Sequence, residues 1–329
     1  MLHDIAIRLI APVFAPLYAQ SRYYVVYLAS AALLGALVLW FRQPRGQRTS
    51  AAVLAKLFRS DVFLHPSALL DYRFVVINHA LFAAVLGAML FSVNTATGWV
   101  VNGLTALAGP SSGAQAGWLA SIAFTLLVFV VTDFAQFVGH YIQHRIPILW
   151  EFHKVHHSAE VLTPVTAIRV HPVSDMVATQ VFGGCMGLVN GAFLYVYHGP
   201  VAEIAVLSVN VLVFLHFTIG AYHLSHSHVW LMFPKGFREV FLSPALHLIH
   251  HSSDPRHYDK NFALYLTVWD RMFGTLYMPA DEEQHGLVLG VGAEQPDYQT
   301  VWQLYSVPFV KAVRLLGARP PSTARAGAS

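Results

Sequence analysis

Long apolar runs, interrupted by short polar clusters, dominate the pattern along the chain. Five runs approach the roughly 20 residues that a helix needs to cross a bilayer: 23–41, 74–93, 118–138, 173–196 and 201–219. The first begins too far into the chain, with no small-residue cleavage pattern behind it, to read as a removed signal peptide. Before it, Leu2, Ile5, Leu9, Val13 and Leu17 recur at near-helical spacing, which predicts an interfacial helix over residues 1–20. The stretch from Pro320 onward is predicted to be disordered. No internal repeat is visible.

Composition strengthens the membrane reading. Apolar residues make up 56% and charged residues 11%, whereas a soluble domain carries about a quarter charged residues. The single cysteine, Cys185, lies inside an apolar run, so no intramolecular disulfide can form and a thiolate metal site is not expected. The placement of charge then orients the spans. Arg42, Arg45, Arg48, Lys56 and Arg59 crowd the link after span one. Arg145, Lys154 and Arg169 follow span three, and Lys235, Arg238, Arg256, Lys260 and Arg271 follow span five. The segments 94–117 and 197–200 hold no Lys, Arg, Asp or Glu. The positive-inside rule therefore predicts that the basic links are cytoplasmic and the two uncharged loops external. Arg8 and Arg22 dissent mildly.

Histidine is the outlier, with 19 copies against 17 acidic residues. Three clusters account for the excess: His140 and His144; His153, His156 and His157; His247, His250 and His251. Residues three and four apart share one face of a helix, so each cluster can present its imidazoles together. Neutral imidazole suits zinc, iron and copper. One tetrahedral ion needs four ligands, so eight histidines are read as a two-metal site. Two predicted spans separate His157 from His247, which returns the third cluster to the side of the other two. His3, His65, His198 and His285 are read as satisfied polar residues, and His79 as a neutral histidine bonded to a neighbouring span. Asp133, seven residues before His140 on the same helical face, is expected to accept the second N–H of a ligating imidazole. Gln136 could share that role, and Asp270 and Asp254 are weaker candidates for it.

The order of these boxes and the text around them resemble the sterol desaturase and fatty acid hydroxylase superfamily of integral membrane enzymes. The resemblance rests on the stretch from Glu151 to Pro164, on Arg169, His171 and Pro172, and on the third box running to Asp254 and Pro255. It continues through Asp259, Lys260 and Asn261 and through Trp269 to Thr275. At 226–228 the chain has His-Ser-His where the family often shows His-Ser-Asn, so the partner of the metal in that element stays open. The resemblance covers roughly residues 120–280 and implies that the eight box histidines ligate iron. His226 is the best ninth candidate, with His171 and His223 behind it.

The expected fold is an all-α integral membrane protein of about five transmembrane helices, capped on the cytoplasmic side by a histidine-rich helical layer holding two metals. Residues 1–117 would carry the interfacial helix and spans one and two. Residues 118–280 would form the catalytic region, and 281–329 a C-terminal interfacial segment and tail. The expected activity is O2-dependent hydroxylation or desaturation of a membrane lipid by two iron ions cycling between Fe2+ and Fe3+. The lipid would come from the bilayer and the electrons from a separate ferredoxin or cytochrome with its reductase, and no nucleic-acid partner is expected. A bacterial inner membrane is the fitting compartment. A two-metal zinc or manganese hydrolase and a metal transporter are the rival readings. Cysteine labels at positions 48, 160 and 255 should react from one membrane face and a label at 112 from the other. Labelling of 160 and 255 from opposite faces would break the shared site.

Overall fold

The computed structural model describes residues 15–81, 92–111, 113–197, 202–279 and 286–317. Most of the predicted N-terminal interfacial helix, the middle of predicted span two, position 112, the tail and the side chains of His3, His79, His198 and His285 lie outside them. The described chain is built almost wholly of helices. Three are long and apolar enough to cross a membrane: α1 (Val25–Arg42), α5 (Trp118–Arg145) and α7 (Pro172–Val196). Between the first two lie α2 (Ser50–Leu57), α3 (Pro66–Leu81) and α4 (Val93–Ala108).

Two expectations change here. The uncharged stretch expected to be a loop over 94–117 contains helix α4, started by the Ser92 side chain accepting from Thr95 N at 3.1 Å and stopped at Gly109. Charge alone could not separate a loop from an uncharged helix. The predicted span over 201–219 is not one helix either. It opens as an antiparallel hairpin, β1 (Ala205–Val206) with β2 (Val209–Asn210), followed by an eight-residue helix α8 (Val211–Thr218). At 1.5 Å per residue α8 is only about 12 Å long, too short to span. Asn210 is the reason: its side chain caps α8 by accepting from Leu212 N at 3.0 Å, and its amide donates to Thr125 O at 3.0 Å. A hydropathy window averages such a cap away.

Proline corners arrange the remaining helices around the histidines. Pro147 follows Ile146 directly after α5, and the residue before a proline is steered out of helical backbone. The chain turns and restarts at once as α6 (Pro147–His157), with proline in the first turn, where its missing N–H costs nothing. Pro172 and Pro244 start α7 and α10 (Pro244–His250) in the same way. Between α8 and α10 lies the short α9 (Ala221–Ser225), reached through Gly220 at φ 74°. A Cβ there would come within 2.7 Å of Ala31 Cα, so glycine is what lets α1 cross at that point.

Helix α12 (Val301–Gly317), which follows the short α11 (Val268–Met272), buries Leu304, Pro308 and Ala312 and leaves Trp302, Phe309, Val313 and Leu316 exposed. Inside the bundle, α7 approaches α4 through glycines. A Cβ on Gly187 would meet Ala96 Cβ at 2.3 Å, and one on Gly191 would meet Val100 Cβ at 2.5 Å. Nothing lies within 4 Å of a Cβ on Gly184. Gly187→Val should therefore lower stability by about 1–3 kcal/mol through overpacking, while Gly184→Ala should be neutral or slightly stabilising. Thermal unfolding in detergent reads both, and a Gly187→Val protein as stable as its parent would show that α4 and α7 are not in contact.

Candidate metal centre

The C-terminal half of α5 carries His140 and His144, and the corner at Pro147 folds α6 back so that its own histidines face them. His144 Nε2 comes within 3.1 Å of His157 Nε2. The ligand atoms of His140, His144, His153 and His157 lie within 4.8 Å of one another. A second group, His156, His226, His247 and His251, is equally tight. Its Nε2 atoms are separated by 3.3 Å from His156 to His226, 3.0 Å from His226 to His247, and 3.2 Å from His247 to His251. His250 stands beside the first group, its ring centroid 4.5 Å from that of His140 and 4.7 Å from that of His157. The sequence boxes are thus divided between groups. His153 and His157 share one face of α6 and His156 looks elsewhere, so one helix serves both.

Burial keeps these rings neutral. It holds His153, His157, His226, His247, His250 and His251 well below the usual imidazole range, helped by neighbouring imidazoles. His156 is held down to about 3, again chiefly by burial. Neutral imidazoles keep the lone pair that a metal needs.

The outer nitrogens decide which lone pair is free. His140 Nδ1–H donates to Phe262 O at 3.0 Å, and His250 Nδ1–H donates to Lys260 O at 2.7 Å. His144 Nδ1 faces Asp259 Oδ1 at 3.4 Å. His153 Nδ1 lies 3.2 Å from Ser174 Oγ, whose hydroxyl donates to Gln143 Oε1. With Nδ1 engaged, Nε2 of His140, His153 and His250 is buried without a hydrogen-bond partner among the described residues. Orphaned imidazole nitrogens converging this closely fit an ion of the borderline transition-metal type.

Three of these acceptors belong to one loop, residues 259–262, whose end Asp270 holds, while Asp133 holds the turn that follows it. Asp270 accepts from Phe262 N at 2.8 Å, Ala263 N at 2.9 Å and Thr275 Oγ1 at 2.6 Å. Asp133 accepts from Tyr265 N at 2.8 Å and from Leu266 N and Trp269 Nε1, both at 2.9 Å. The expectation that Asp133 accepts from a ligating imidazole is therefore corrected. Seven residues put it on the right face but about 10 Å down the helix from His140, beyond side-chain reach. The carboxylate that meets a histidine is Asp259, at a left-handed φ of 58°. Sequence reasoning missed its part and that of Ser174, and backbone acceptors such as Lys260 O leave no side-chain signature at all.

The less certain histidines separate cleanly. His226 joins the second group, whereas His228 Nε2 bonds Lys56 O at 2.9 Å. His171 is not in either group: its Nδ1 accepts from Val173 N at 3.1 Å, capping α7, and its Nε2–H points to Tyr305 O at 3.4 Å. His223 also lies outside both, packed against Tyr222 and Tyr23. Asp254 pairs with Arg256 at the surface, away from the histidines.

A cavity of about 530 Å³ reaches the histidines. His140, His153, His156, His226 and His247 form one wall, and Phe182, Val213, Phe217 and Leu264 form an apolar one.

Helices long and apolar enough to span a membrane and two all-imidazole groups, each able to hold a metal ion, adjoin a cavity with apolar lining residues. Residues 125–275 match the family model described as fatty acid hydroxylase, and that match together with the relatives below supports the sterol desaturase and fatty acid hydroxylase superfamily. Alkylglycerol monooxygenase of Danio rerio is 29% identical over 185 residues, covering 56% of this chain and 35% of that protein. Ornithine lipid hydroxylase of Rhizobium tropici is 27% identical over 159 residues, or 47% of this chain and 42% of that one. Lathosterol oxidase of Rattus norvegicus is 24% identical over 170 residues, covering 52% and 50%. The chain thus spans half or less of the length of these curated relatives. No solved structure gives a significant match.

Removing the loop's anchor should loosen the histidines without touching them. Asp270→Asn should lose about 10–100-fold in metal affinity, as expected when the partner of a ligand is disturbed, while Asp254→Asn should bind as the parent does. Metal titration of purified protein decides this. Equal affinity in parent and Asp270→Asn would leave the 259–262 loop without a role in holding metal.

Proposed function

We propose that the protein is an O2-dependent oxidoreductase with two iron ions that hydroxylates or desaturates a membrane lipid. The observation that carries this reading is the pair of four-histidine groups beside an apolar cavity. His140, His144, His153 and His157, with His250 alongside, would hold one ion, and His156, His226, His247 and His251 the other. Two irons held there would supply the electron transfer to O2 that oxidation of an unactivated C–H bond requires. The chain's own work is then positional. Phe182, Val213, Phe217 and Leu264 take the lipid tail and exclude water, and the 259–262 loop fixes the imidazoles.

The relatives are named for work on alkylglycerols, an ornithine lipid and lathosterol, and a lipid is what those names share. Hydrolysis by two zinc ions is disfavoured because neither group contains a carboxylate. Transport is disfavoured because the histidines lie at helix ends. Each turnover needs two electrons, which we assign to a separate ferredoxin or cytochrome with its reductase. An iron–sulfur cluster held by four cysteines cannot come from a sequence with one. The histidine side would face the cytoplasm of a bacterial inner membrane.

Purified protein should carry two metals per chain, consume O2 only with iron and an added reductant, and yield a lipid heavier by one oxygen or lighter by two hydrogens. His156→Ala and His247→Ala should abolish turnover while leaving the chain inserted. Full activity with zinc alone would sink the oxidase reading, and one metal in active enzyme would sink the two-ion site.

A further inference from the structure

Apart from its histidines and its apolar wall, the cavity carries a pair of opposite charges. Arg22 and Asp175 both line it. Arg22 donates to the Tyr222 hydroxyl at 3.0 Å, and its guanidinium has no carboxylate within ion-pair distance among the described residues. Asp175, in the first turn of α7, has no hydrogen-bond or ion-pair partner among the described residues, and its burial is partial. Each attracts the other across the space without contact. Arg22 is exposed and Asp175 half-buried, and these two opposite charges, without an ion-pair partner among the described residues, both face a void of ligand size.

Their location ties them to the metal centre. Asp175 follows Ser174, whose hydroxyl meets His153. From Asp175 the cavity wall continues along one face of α7 through Ala178 to Phe182, about 10 Å further at the helical rise. Gln20 and Arg22, both exposed, and Ser21 mark the polar rim. Asp175 therefore lies close to the histidines, and Ala178 and Phe182 carry apolar lining further along α7.

We propose that Arg22, Asp175 and Tyr222 form a headgroup subsite for a net-neutral, hydroxylated lipid head. A hydroxyl can accept from Arg22 and donate to Asp175 at the same time without bringing a net charge beside either. A phosphate or carboxylate head would gain Arg22 and be repelled by Asp175, and an ammonium head would meet the reverse. The neutral amide and hydroxyls of Gln20, Ser21 and Tyr222 extend the same chemistry. The head then rests beside the histidines and the tail runs toward Phe182. This deepens the lipid-oxidation reading and rests on it for the identity of the ligand as a substrate.

Binding without turnover tests the subsite separately from the chemistry. The full-length protein in a neutral detergent, without reductant, is titrated with 1-monooctanoylglycerol, octyl phosphate and octylammonium. The expected order in the parent is the neutral diol first, by about tenfold or more, the scale of a hydrogen bond to a charged group. Asp175→Asn should weaken the diol and raise affinity for octyl phosphate. Arg22→Gln should weaken the diol and raise affinity for octylammonium. Metal content of each variant reports whether the fold and the centre persist. If Arg22→Gln fails to fold, Asp175→Asn decides alone, because unfolding cannot create a gain for the anion. A parent that prefers octyl phosphate, or variants that leave all three affinities within twofold, overturn the subsite. That result would leave iron-dependent oxygen uptake unaffected, and failure of oxygen uptake would leave the binding order unaffected.

Discussion

Nine imidazoles can share one small, buried space only while each remains uncharged. That constraint organises much of the protein around it. Protonating one ring would place an unpaired charge among its neighbours, so burial and mutual repulsion keep the rings outside the spans neutral. For four of the rings, His140, His144, His153 and His250, acceptors at fixed positions tell the outer nitrogen where to point: carbonyls of Phe262 and Lys260, the Asp259 carboxylate and the Ser174 hydroxyl.

Fixing those acceptors draws in structure further away. Asp133 and Asp270 each gather three donors around the loop and the turn after it. On the opposite side, Arg169 is fully buried against Asp71 at 2.7 Å, and its guanidinium also binds Val155 O and Ser158 Oγ at the end of α6. Breaking a buried pair of this kind by removing one partner costs about 3–5 kcal/mol, so the second box is held in register from outside the site. Lys154, between Glu151 and Glu294 at 2.9 Å from each, ties α6 to the segment that leads into α12. These buried or half-buried charged residues thus hold histidine-bearing segments in place.

The histidines were legible because helical periodicity turns short spacings into shared faces, and the long apolar runs at 23–41, 118–138 and 173–196 were legible because length and hydropathy suffice for them. What escaped depended on axial distance or on partners remote in sequence. Asp133 lay on the correct face and at the wrong height. His226 ranked ahead of His171 by resemblance alone, and the physical reason, Val173 N occupying Nδ1 of His171, lies in the fold. The 201–219 run concealed the cap at Asn210, and the 259–262 loop acts through carbonyls that any residue would supply. Arg22 entered the sequence reading only as a charge on the unexpected side of a span, and its neighbours Tyr222 and Asp175 are some 150 to 200 residues away along the chain.

Helix α6 sends His153 and His157 to one group and His156 to the other over a single turn. An 11-residue rod pinned by Pro147 at one end and by Arg169 at the other therefore works as a caliper between the two positions. Their separation is a property of helical pitch, insensitive to the loops around it. Turning the rod about its axis would disturb both jaws together, so neither position can be retuned independently of its twin.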